Sequence, residues 1–193
     1  QTCALPICGE VHVEWMVKII KEIANEQKLT FNMAVINTEV NGAYLKEKLN
    51  SGKVINYGKG PDLTNETIDK CNRIVSQIGV EPYLRALELN VDVILAGRSC
   101  DTAIFAAPAI KHGMDWGVAF HMAKIIECGA LCSRPMSASD SIIANIDKDS
   151  FVLEPANPIR RCTVESVAAH TMYEQNNPYY IYEPDGVVDL KET

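Results

Sequence analysis

Arg98, Cys100 and Asp101 stand within four residues of one another, directly after Gly97 and an apolar run over residues 91–96. A guanidinium, a thiol and a carboxylate at one strand end could bind an anion, attack an electrophile and move a proton. In an open parallel sheet, ligands gather beyond the carboxyl ends of the strands, so a site is expected here. Asn37 and Glu39 follow a second β-rich segment, residues 29–36, and join the same expected set. Gly97 permits close backbone approach or a tight turn. Arg98 must find a carboxylate, a phosphate or water; Asp101 or Glu39 could pair with it, or a ligand anion could. Cys100, between a cation and an expected helix start, reads as a thiol whose thiolate is favoured. Asp101 sits where it could cap that helix, which would account for it without any catalytic role.

Two further side chains could exchange protons. His121 lies on an apolar helical face with Val118, Met122, Ile125 and Ile126, and its charge can change near neutral pH. Glu127 is a second acid/base candidate. His121, Cys128 and Cys132 fall on one helical line, but the first two are roughly 10 Å apart along the axis, too far for one ion. No metal site is expected. Arg160-Arg161 could bind an anion or form a solvated basic pair.

The elements that would position these groups follow from periodicity and punctuation. Residues 11–26 read as an amphipathic helix that buries Trp15, Ile19, Ile20 and Ile23. Residues 41–49 form a short helix stopped by Asn50-Ser51-Gly52. Thr64 caps a helix in which Ile68, Cys71, Ile74, Val75 and Ile78 recur at helical spacing, making Cys71 a core thiol. Residues 82–89 are helical and lead into the 91–96 strand, which reads as buried on both faces. Pro108 should kink or shorten the helix over 102–111. Asp115 caps a helix over 116–131, and Thr163 caps another that reaches about 175. Strands are expected near 141–146, 151–154 and 179–182, with Asp185-Gly186 as a hairpin turn. Alternation of strand and helix with short links predicts an α/β fold, a mostly parallel sheet flanked by helices.

Composition narrows the function classes. The chain has 193 residues, 47% hydrophobic and 22% charged, with net charge −7. That balance lacks the basic face a nucleic-acid binder needs. No apolar segment reaches the ~18 residues of a membrane span. The seven cysteines, an odd number without a CxxC pair or a recognisable signal peptide, read as reduced cytoplasmic thiols. The glycines of Tyr57-Gly58-Lys59-Gly60 do not fit a dinucleotide-binding fingerprint, and no P-loop is present. The opening QTCALPIC resembles an in-frame sequencing adapter, so residues 1–8 are read as an artefact. Residues 9–193 are then a fragment of one α/β domain, cut at both ends.

The order VDVILAGRSCD, HMAKIIECGA and VLEPANPIRRCTVESVAAHTMYE resembles the acyclic terpene utilisation AtuA family over most of residues 10–193. Gly97-Arg98-x-x-Asp101 and His121 with Glu127-Cys128-Gly129-Ala130 carry the resemblance most specifically. It implies a catabolic setting that runs through acyl-CoA intermediates, and it names neither a reaction nor a cofactor. Many relatives follow Glu-Cys-Gly-Ala with a small Gly-rich stretch; Leu131-Cys132-Ser133-Arg134-Pro135 here points to another subgroup. The expectation is a cytosolic catabolic enzyme acting on a small-molecule carboxylate or acyl-CoA, an acyclic terpenoid or related branched acid, with Asp101, His121, Glu127 and Cys100 catalytic and Gly97, Arg98, Asn37 and Glu39 binding substrate. The alternative is a non-catalytic subunit that binds a partner catabolic enzyme; homo-oligomerisation is compatible with either.

Overall fold

The computed structural model describes residues 10–56, 60–137 and 139–191. Cys3, Cys8 and Gly58, and the reading of residues 1–8, lie outside the described residues. The chain divides into two compact units, one of residues 10–77 and 92–98, the other of 78–91 and 99–191.

The first unit contains α1 (Glu10–Glu26), β1 (Met33–Ile36), α2 (Gly42–Asn50), α3 (Asn65–Lys70) and β2 (Val93–Ala96). β1 and β2 pair in parallel, with Met33 opposite Val93 and Ile36 opposite Ala96, and α1 packs on β2. Asn41 caps α2 by accepting from the amides of Ala43 and Tyr44, and Thr64 caps α3 by accepting from Thr67. Both caps satisfy first-turn donors that have no partner within the helix.

Three expectations are corrected in this unit. α1 buries Val13 and Ala24, eleven positions apart and hence on one line, while Trp15 and Ile23 stay 59% and 51% exposed. The helix is apolar on more than one side, so periodicity alone did not decide which side turns inward. α3 stops at Lys70 instead of reaching Ile78, because Cys71 takes an extended conformation and the next residues run beside 38–40. There Val40 donates to the Ile74 carbonyl and Ser76 to the Thr38 carbonyl, and Cys71 is exposed rather than core. The β-branched Ile74, Val75 and Ile78 suit an extended path better than a helix. β2 is half-buried along its length, since it pairs with one neighbour and not two.

The second unit contains α4 (Glu81–Glu88), α5 (Ala103–Lys111), α6 (Trp116–Ile126), a 3-10 turn (Gly129–Cys132), β3 (Ser133–Arg134), β4 (Ile142–Ile146), β5 (Phe151–Pro155), β6 (Arg161–Cys162), α7 (Val164–Thr171), β7 (Tyr180–Glu183) and β8 (Gly186–Asp189). β4 pairs with β5, β3 with β6 and β7 with β8, each antiparallel. The fold is therefore mixed α and β, but among the described residues the parallel sheet has only two strands and the other three sheets are antiparallel. Tight turns join β4 to β5 and β7 to β8, and such links permit only antiparallel pairing.

α6 lies at the centre of this unit, against α5, α7, β4 and β8. Fully buried Ala103, Ala106, Ala119 and Ala123 offer the small side chains that let α5 and α6 approach closely. Pro108 does not interrupt α5, which continues to Lys111. Asp115 caps α6 through the Val118 amide. The helix ends at Ile126, earlier than expected, and Gly129 at φ +60° turns the chain into the 3-10 segment. Thr163 and Ser166 form a reciprocal capping box at α7.

Candidate functional site

In the first unit, the parallel pairing brings the carboxyl ends of β1 and β2 to one side. The Gly97 amide donates to the Ile36 carbonyl at 3.0 Å, and the Arg98 amide donates to Thr38 Oγ1 at 2.9 Å. Thr38 is only 3% exposed, so this hydroxyl is a buried clasp between the strand ends. Asn37, Thr38, Glu39, Gly97 and Arg98 are thus gathered where sequence reasoning placed them. Glu39 is engaged by Arg73, whose Nη1 lies 2.8 and 2.7 Å from its two oxygens. That removes Glu39 as the expected partner of Arg98. Among the described residues, the half-buried Arg98 guanidinium has no carboxylate within ion-pair distance.

In the second unit, Cys100 and Asp101 precede α5. Asp101 is exposed and does not cap the helix; Thr102 occupies the N-cap position and makes no side-chain cap bond. The buried Thr102 hydroxyl instead donates to Glu183 Oε2 at 2.7 Å, and the Cys100 thiol donates to the same oxygen at 2.9 Å. Burial, followed by the Glu183 carboxylate, pushes the Cys100 thiol up to about 11. This corrects the expectation of a favoured thiolate: the neighbour that decides its protonation is an anion, supplied by β7.

Glu127, directly after α6, pairs with Lys124 one turn earlier at 2.5 Å, and both side chains are only 6% exposed. Burial raises the Glu127 carboxyl above its ordinary value against the pull of Lys124, and the negative charges of Asp101 and Glu183 raise it further. Burial alone would depress Lys124, but its hydrogen bond to Glu127 and the fields of Glu127, Cys128 and Glu174 outweigh it and leave the ammonium favoured. Burial and Glu127 likewise raise the Cys128 thiol. Lys124 Nζ also lies 6.0 Å from the Tyr173 ring centre, and Tyr173 stacks on His170 at 5.6 Å. Among the described residues His170 Nε2 is buried without a hydrogen-bond partner, and burial, then Lys124, lower that imidazole.

Asp101, Glu127 and Cys100 thus converge electrostatically on one centre, together with Lys124 and Glu183, which sequence reasoning did not single out. His121 does not join them. Six positions from Glu127, it falls on another side of α6, edge-on to Phe151 at 5.3 Å in an open groove with Asp115, Asp149 and Val188. Burial lowers its imidazole. Among the described residues, no three His, Cys, Asp or Glu side chains are grouped to hold a metal ion, and no helix is long and apolar enough to cross a membrane.

These features define an α/β protein with a polar strand-end clasp in one unit and a buried lysine–carboxylate centre in the other. Over residues 8–193 the chain matches the acyclic terpene utilisation family protein AtuA, and it belongs to that family. No curated protein and no solved structure matches it.

Proposed function

We propose that the chain is part of a cytosolic catabolic enzyme that acts on a carboxylate or acyl-CoA by proton transfer. The observation that carries this reading is the buried Lys124–Glu127 pair beside Asp101 and Glu183. A carboxyl raised above its ordinary range is better matched to proton exchange near neutral pH than a solvated one. A neighbouring ammonium favours negative charge as it develops on a substrate oxygen. Clusters of perturbed acids of this kind concentrate at functional sites. Glu127 is the proposed acid/base, Lys124 the electrostatic partner, and Asp101 an exposed second acid; Cys100 is held as a thiol and does not serve as the nucleophile. Arg98, beside the strand-end clasp of the other unit, is proposed separately as a carboxylate-binding group.

A thermal-shift comparison with isovalerate and isovaleryl-CoA tests this. Ligand at 100 times its dissociation constant adds about 2.7 kcal/mol of stability. Wild-type protein should be stabilised, Arg98→Ala should lose the shift given by isovalerate while remaining folded, and Glu127→Gln should bind the thioester without turnover. A second reading, the non-catalytic subunit that positions a partner enzyme, draws on the exposed Val11, Trp15 and Ile23 of α1. It takes over if well-folded wild-type protein ignores both probes.

A further inference from the structure

In the β3–β6 ladder, Arg134 stands directly opposite Arg161. Residues in register across an antiparallel pair project from the same face, and like charges placed there repel. A carboxylate between them would normally relieve this. Among the described residues, neither guanidinium has one within ion-pair distance, and both residues are exposed. The third arginine, Arg160, is differently placed: Nε donates to Asp140 Oδ2 and Nη1 to the Pro135 carbonyl, which fixes its plane. Together with Pro135, Pro158 and Ile159, the three arginines line one open groove of about 520 Å³. That volume is within the range of small-molecule sites. Ile159, 71% exposed, adds an apolar surface beside the charges.

We infer that this groove binds the phosphate or diphosphate group of a small organic ligand, held between Arg134 and Arg161. Two guanidinium forks present more donors than one carboxylate can accept, whereas a phosphate offers three oxygens and up to two negative charges. The fixed Arg160 and the two prolines hold the walls, and Ile159 meets the organic part. With a chain net charge of −7, a local cluster of this kind suits a compact anion rather than a nucleic-acid backbone. The inference does not rest on the acid/base reading of Glu127 or on Arg98.

Calorimetric titration with inorganic pyrophosphate and with CoA, each at low and high chloride, tests it on the whole chain. Pyrophosphate should bind, and Arg134→Ser or Arg161→Ser should each weaken it at least tenfold. The double variant should abolish binding, with Lys at either position restoring part of it. Pyrophosphate carries no acyl group, so its binding is read independently of the proposed acyl chemistry, and failure here and failure there are separable. Tighter binding of CoA than of pyrophosphate, lost in the same variants, identifies an organic phosphate as the ligand. Equal binding identifies the bare anion. Without ligand, the double variant should be as heat-stable as wild type or more so, because a like-charge pair has been removed. Absence of millimolar binding, binding that survives the double substitution, or a double variant that melts earlier overturns the inference.

Discussion

Replacing Lys124 by Met removes the ammonium from the buried pair but keeps the length and apolar character of its stem. Volume-conserving swaps of this kind leave little cavity, so the loss reports mainly on charge. With both side chains 6% exposed, Glu127 would be left as an uncompensated buried carboxylate, and breaking a buried pair from one side costs about 3–5 kcal/mol. The carboxyl relieves part of that by taking up a proton, at 1.36 kcal/mol per unit by which its pKa must rise. Its folded value is already raised by burial and would rise further in the variant. An acid whose folded pKa lies above its unfolded one makes the native state bind more protons, so stability falls as pH rises through that interval. Urea denaturation followed by fluorescence, with Trp116 at the start of α6, should therefore find Lys124→Met closer to wild type at pH 5 than at pH 7.5. Adding Glu127→Gln should remove this pH slope and recover most of the loss. A Lys124→Met protein that loses under about 1 kcal/mol at pH 7.5, with no pH slope, would refute the claim that the pair is buried and coupled.

Three further outcomes are expected. A Cβ on Gly79 would lie 2.0 Å from Asp185 Oδ2, which accepts the amide of fully buried Val80. Gly79→Ala should therefore destabilise by about 1–3 kcal/mol, read as a fall in Tm; an unchanged Tm would mean that Asp185 does not hold this amide. Thr163→Ala breaks the capping box of α7 and should cost about 1 kcal/mol in urea titrations. Iodoacetamide at pH 7.5 should alkylate exposed Cys71 well before Cys100, whose thiol is pushed up to about 11; mass spectrometry showing Cys100 labelled first would contradict its hydrogen bond to Glu183.

Local chemistry made parts of this fold legible. Thr64, Asp115 and Thr163 announce their helices because a cap needs only a short polar side chain and the next few amides. Asp185-Gly186 marked its hairpin for the same reason. The segment after α3 was not legible, since Ile74, Val75 and Ile78 match a helical stripe while Ile74 and Val75 are held beside residues 38–40 and Ile78 beside Ser99. The face of α1 was ambiguous because Trp15 and Val13 are both apolar. At the candidate centre, Glu127 and Asp101 were visible as acids, but Lys124 and Glu183 were not, because their burial comes from tertiary packing. One signal was present: Lys124 interrupts the apolar run Phe120–Ile126 three residues before an acid, a spacing that places the two on one helical face. Cys100 shows the converse error, where chain neighbours suggested a cation and the fold supplied Glu183 from 83 positions away.

The central claim, that Glu127 and Lys124 form a proton-transfer centre for a bound acyl substrate, is tested most directly by proton NMR in D2O. Wild-type protein incubated with isovaleryl-CoA should exchange substrate protons for deuterium, and Glu127→Gln should bind the same thioester without exchange. Exchange that persists in Glu127→Gln would contradict the assignment of the acid/base to this carboxyl.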